Sequence, residues 1–118
     1  MELNSYWLIL GVLVLYYGWK TFGPGRKAPA SEVARKLAGG AAILDVRTPA
    51  EFRTGAYPRA RNIPLDELEG RLASLGTRDK PVVVYCASGS RSSQAARILR
   101  KAGFSDVVNA GGIGSMPR

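Results

Sequence analysis

From Leu3 to Trp19 the chain carries no charge, and from Tyr6 to Tyr17 it is almost wholly apolar. A helix apolar on every face has no single seam to offer a small core. Aromatic residues close the run at both ends, Tyr6 and Trp7 before it and Tyr16, Tyr17, Trp19 and Phe22 after it, as in the belts at membrane interfaces. Residues 3–19 in helical form reach about 25 Å, a little short of a hydrocarbon core of about 30 Å, and Lys20 can snorkel. The pattern predicts an uncleaved transmembrane anchor helix over residues 1–22 and a Gly- and Pro-punctuated linker over 23–30. A cleaved signal peptide is the competing reading. It would want a basic start, whereas the side-chain charge ahead of the run is Glu2.

Beyond the linker the period changes repeatedly. Ser31 caps a predicted helix from Glu32 to about Leu37, stopped by Gly39 and Gly40. Ala41 to Val46 is a short apolar run closing on Asp45, the signature of a buried parallel strand. Thr48-Pro49-Ala50-Glu51 is a capping box with proline at the first helical position, opening a short helix that stops at Gly55. Asn62 and Ile63 form a brief strand. Leu65, Leu68, Leu72 and Leu75 recur at spacings of three and four, which predicts an amphipathic helix.

Val82 to Tyr85 is the most β-prone run and belongs at the sheet centre. From Ser92 to Ala102 the pattern is helical, with Ala95, Ala96, Ile98 and Leu99 inward, and Gly103 ends it. Asp106 to Asn109 is a last short strand. Strands alternating with helices predict a small α/β domain over residues 31–118, with a mostly parallel central sheet flanked by helices and preceded by the one transmembrane helix.

Composition narrows the chemistry. The 118 residues hold 17 Lys and Arg against 9 Asp and Glu, a net charge of +8. The arginines are scattered and no aromatic stacking pattern accompanies them, so nucleic acid is not the expected partner; anionic lipid headgroups and small anionic substrates are. Lys20, Arg26, Lys27, Arg35 and Lys36 all follow the apolar run, and the positive-inside rule places the domain in the cytoplasm. A periplasmic or secreted location after signal cleavage is the alternative. There is no histidine, which removes imidazole-activated nucleophiles and His-dependent metal sites. No cofactor or metal is expected. Cys86 stands alone, so it has no disulfide partner within the chain.

Cys86 closes the central strand, and in an open parallel sheet sites form outside the carboxyl ends of strands. Ala87, Ser88, Gly89 and Ser90 follow, all small enough to let backbone N–H groups converge on one point, and the next helix N-terminus adds partial positive charge. Arg91 supplies a planar donor fork, and Ser92 follows it. Such a nest lowers a cysteine pKa from about 8.5 toward roughly 3.5–7.5 without any base. Each of these residues also has an ordinary reading: Cys86 as a small buried hydrophobe, Arg91 as a solvated residue, the serines as turn formers. A cation in a first helical turn opposes the dipole, however, and wants an anion to explain it.

Leu44-Asp45-Val46-Arg47-Thr48-Pro49-Ala50-Glu51-Phe52, Arg61-Asn62-Ile63-Pro64, Val83-Val84-Tyr85-Cys86 with its loop to Arg91 and Ser92, and Asn109-Ala110-Gly111-Gly112 occur in this order, and together they resemble a single-domain rhodanese from about Ser31 to Gly112. The resemblance implies a sulfurtransferase. Its Cys86 thiolate takes sulfane sulfur from a donor such as thiosulfate, becomes a persulfide, and passes the sulfur to cyanide or a thiol. The loop amides of 87–92 and Arg91 would hold the donor's anionic end, with Asp45 and Arg47 in support, or simply as an ion pair. The six residues from Cys86 through Arg91 resemble the sulfur-transfer form of the loop rather than the longer loop of related phosphatases and arsenate reductases. A phosphatase or arsenate reductase on the same loop, and a tethered non-catalytic sulfur carrier or scaffold, are the alternatives. The segment Ala56-Tyr57-Pro58-Arg59 departs from the family's usual His-Ile-Pro-Gly, and no tryptophan follows Gly112.

Overall fold

The computed structural model describes residues 3–22 and 26–118, leaving aside the side chains of residues 3, 4 and 19–22. Helix α1 runs Leu3–Phe22 and α2 runs Ala30–Ala38. Strand β1 (Ala42–Asp45), helix α3 (Pro49–Arg53) and the two-residue strand β2 (Arg61–Asn62) follow. A 3-10 segment, Leu65–Leu75, leads to β3 (Val82–Cys86), α4 (Ser90–Lys101) and β4 (Val107–Gly112), and a 3-10 turn at Ile113–Ser115 closes the domain.

The four strands form one parallel sheet in the order β2-β1-β3-β4. All five residues of β3 are buried, because the strand lies between β1 and β4 and has helices on both faces. Its alternation divides the core. Val82, Val84 and Cys86 face Leu44, Ile63, Leu68, Ala95, Ala96 and Leu99. Val83 and Tyr85 face the other way, with Val33, Val108, Ala110 and Met116. The period-two pleat therefore sends the cysteine to the same face as α4.

Several expectations change in detail. No helix among the described residues is long and apolar enough to cross a membrane. Residues 3–22 are helical as expected, but Asn4 and Ser5 at one end and Lys20 and Thr21 at the other confine the apolar run to Tyr6–Tyr17. That run is about 18 Å of helix against a core of about 30 Å. The large apolar side chains from Tyr6 to Tyr17 are exposed.

Pro29, not Ser31, occupies the N-cap position of α2. The leucine repeat of 65–75 winds as a 3-10 segment, with Arg71 at φ −126° interrupting it; spacings of three suit the tighter helix, and Gly70 weakens the wider one. Helix α4 begins two residues earlier than its periodicity shows, on Gly89 at φ +106°, and β4 continues through Gly112 by a register shift opposite Val84 and Tyr85. The capping box of α3 forms as read: Thr48 accepts from the Glu51 amide at 3.2 Å, and Glu51 accepts from the Thr48 amide at 3.0 Å.

The linker is partly structured as well. Residues 23–25 lie outside the described part. Lys27 makes a parallel bridge to Asn109 on the outer edge of β4, and the Ala28 amide donates to the Asn109 carbonyl at 2.7 Å.

Candidate functional site

The carboxyl ends of β1, β3 and β4 meet on one rim of the sheet, and the loop 87–89 leaves from the middle one. Cys86 is fully buried at its root. The Gly89 amide donates to Cys86 Sγ at 2.9 Å, and the Ser92 hydroxyl lies 3.5 Å from the same sulfur. Gly89 can turn its amide inward because it sits at a positive φ that a side chain would resist. The Ser92 hydroxyl is held between the carbonyls of Gly89, 3.0 Å away, and Gly111, 3.3 Å away.

The electrostatics of the thiol follow from these contacts. Burial pushes its pKa up. Hydrogen bonding with the Ser92 side chain and with the amides of Ser92, Gly89 and Ser88 acts the other way and prevails, so the Cys86 thiol lies below its ordinary value. These contacts favour the charged form of the sulfur over what burial alone would allow.

Arg91 is placed differently from the sequence expectation of an anion-closing fork. Its guanidinium meets the Glu51 carboxylate in two hydrogen bonds, Nη1 to Oε1 at 2.6 Å and Nη2 to Oε2 at 3.0 Å. The same carboxylate accepts from the Thr48 hydroxyl at 3.0 Å. Arg91, with Thr48 behind it, holds the Glu51 carboxyl down to about 2. Sequence reasoning assigned Glu51 to the capping box alone. A carboxylate has lone pairs for both partners, and that chemistry was the available signal.

Asp45 and Arg47 form a buried node one strand away. The Asp45 carboxylate accepts from the Arg47 amide at 2.8 Å, from its Nε at 3.0 and 3.1 Å and from its Nη2 at 2.7 Å. Arg47 Nη2 also donates to the Gly55 carbonyl at 2.7 Å, and its guanidinium lies 5.7 Å from the centre of the Tyr85 ring. The pair fixes the end of β1 and the exit of α3, and so stands behind the rim without joining the thiol.

Beside the loop opens a cavity of about 590 Å³. Ala87, Ser88 and Gly89 of the loop, Gly111 and Gly112 of β4, and Arg26 and Lys27 are among the residues that line it. Ser90 is exposed at the start of α4. Cys86 is not among the lining residues, but Gly89, whose amide donates to its sulfur, is. Gly112 is required by close approach, since a Cβ there would come within 2.6 Å of the Ala87 carbonyl oxygen.

Comparison with known proteins bears on the family and the fold. The sequence profile of the rhodanese-like domain matches residues 29–114. The chain is 46% identical over 69 residues to YqhL, an uncharacterized protein of Bacillus subtilis, covering 58% of this chain and 54% of that one. It is 39% identical over 71 residues to the thiosulfate sulfurtransferase PspE of Escherichia coli, covering 59% of this chain and 68% of that one. The human single-domain sulfurtransferase TSTD1 superposes with a TM-score of 0.66 at 30% identity, over 73% of this chain and 88% of that one.

Proposed function

The chain belongs to the rhodanese-like domain family, and on that premise we propose that it is a sulfurtransferase that carries sulfane sulfur as a persulfide on Cys86. The observation that carries this reading is the Gly89 amide on Cys86 Sγ, at the floor of a loop backed by a helix N-terminus. With thiosulfate as donor, the Cys86 thiolate attacks the outer sulfur. A bond forms between Sγ and that sulfur, the sulfur–sulfur bond of thiosulfate breaks, and its electron pair leaves with sulfite. The terminal sulfur of the persulfide keeps one negative charge, and the amides of Ser88 and Gly89 around Sγ support its stabilisation there. Cyanide or a thiolate then takes the terminal sulfur and returns the Cys86 thiolate. With cyanide the product is thiocyanate.

Treatment of the protein with thiosulfate is expected to add the mass of one sulfur at Cys86, and cyanide is expected to remove it as thiocyanate. Cys86→Ser should do neither. Equal activity in both proteins, or turnover of an aryl phosphate in place of thiosulfate, would sink the assignment. A second reading is favoured by the complete burial of Sγ: a sulfur carrier that loads once and waits for a partner. Persulfide formation without multiple turnover would select it.

The exposed apolar side chains of α1 support attachment to a bilayer through that helix, and a lone thiol suits the reducing cytoplasmic side. Flotation of the full chain with liposomes, and labelling of Cys86 from either side of sealed vesicles, test these two points.

A further inference from the structure

Arg91 is paired to Glu51 and does not line the cavity; the cations that line it are Arg26 and Lys27. Both come from the segment ahead of α2, which reads as a plain linker. Lys27 is held at three points. Its backbone bridges to Asn109. Its stem lies over Gly111, where a Cβ would sit 3.1 Å from Lys27 Cδ and Cε. Its Nζ donates to Ser115 Oγ at 3.2 Å. Lys27 remains exposed to solvent, but these three contacts hold it in one place beside the cavity that the Cys86 loop lines.

We propose that Arg26 and Lys27 are specificity-determining residues that draw the oxyanion end of the sulfur donor into the cavity beside the Cys86 loop. The inference rests on the sulfurtransferase reading above, and it deepens it by assigning the donor's class. The donor carries a sulfonate or carboxylate head and a transferable sulfur, as thiosulfate and glutathione persulfide both do. Gly111 has a purpose in this arrangement, since its bare backbone lets the Lys27 stem cross at contact distance. The pair acts on capture of the donor and not on bond making, because the groups that touch Sγ are those of residues 88, 89 and 92.

The test uses the full chain with Arg26→Gln and Lys27→Gln together. Two reagents of similar size read the charge at the thiol without any assumption about sulfur chemistry: iodoacetate, an anion, and iodoacetamide, which is neutral. At low salt the rate ratio of iodoacetate to iodoacetamide on Cys86 should fall about tenfold in the double variant, with the iodoacetamide rate unmoved. The KM for donor should rise about tenfold while kcat holds, and Lys27→Arg should restore part of the loss. A rise confined to thiosulfate identifies the sulfonate as the recognised head, and a rise confined to glutathione persulfide identifies the carboxylate. An unchanged ratio together with an unchanged KM overturns the proposal and leaves the sulfurtransferase reading standing. Absence of any persulfide in the unaltered protein overturns the sulfurtransferase reading, and the alkylation ratio still reports on the pair.

Discussion

Arg91 grips Glu51 with both of its terminal nitrogens, at 2.6 and 3.0 Å, and so ties the first turn of α4 to the first turn of α3. A cation at a helix N-terminus opposes the dipole, and the carboxylate of another helix supplies the balancing charge. The Cys86 thiolate shares this surrounding, since its charge acts on Arg91 after that of Glu51. Removing the carboxylate with Glu51→Gln therefore leaves more of the Arg91 charge for the thiolate. The pH profile of Cys86 alkylation by iodoacetamide should move toward acid in Glu51→Gln and toward base in Arg91→Gln.

The same pair sets an acid limit. Glu51 is held at about 2, below its ordinary 4.5, so its folded pKa lies under its unfolded one. The stability it lends is complete above the unfolded value and is lost as pH falls toward about 2. The difference in thermal midpoint between the unaltered protein and Glu51→Gln should be steady at neutral pH and should close between pH 4.5 and 2.

Gly112→Ala places a Cβ within 2.6 Å of a backbone oxygen, that of Ala87, which has no side-chain flexibility with which to retreat. The loop and β4 must move apart. The expected cost is about 2 kcal/mol in chemical denaturation, with a larger proportional loss in persulfide formation, because the shift falls on the residue after Cys86. Gly114→Ala, where no atom lies within 4 Å of the added carbon, is the matched control and should match the unaltered protein.

The Asp45–Arg47 pair is buried, its side chains 0% and 6% exposed. Removing one partner of such a pair strands the other charge. Asp45→Ala should cost about 3–5 kcal/mol by urea unfolding, while the pH profile of Cys86 alkylation in the surviving folded protein stays put.

Much of this molecule was legible in its sequence wherever the deciding physics is local. The run Val82 to Tyr85 announces a buried strand, and the small residues after Cys86 announce a turn. Thr48 and Glu51 reveal their capping box because they are three residues apart. What stayed hidden depends on distant meetings. Arg91 finds Glu51 across 40 residues, and nothing in either neighbourhood names the other. Lys27 reads as linker because its anchor, Asn109, belongs to the last strand. The leucines of 65–75 mislead for a different reason: spacings of three and four fit an α-helix and a kinked 3-10 segment alike.

The two margins of the sheet are guarded in different ways. Strand β4 is outermost, and an outer strand offers unpaired backbone groups to any passing chain. Ala28 and Lys27 engage Asn109 on that side, while the opposite margin is β2, only two residues long. Each margin is thus a poorer template for a neighbouring molecule, one engaged at Asn109 by the chain's own earlier segment and the other only two residues long. A shortened chain starting after Ala28 would uncover the β4 margin, and its first symptom would be aggregation rather than unfolding.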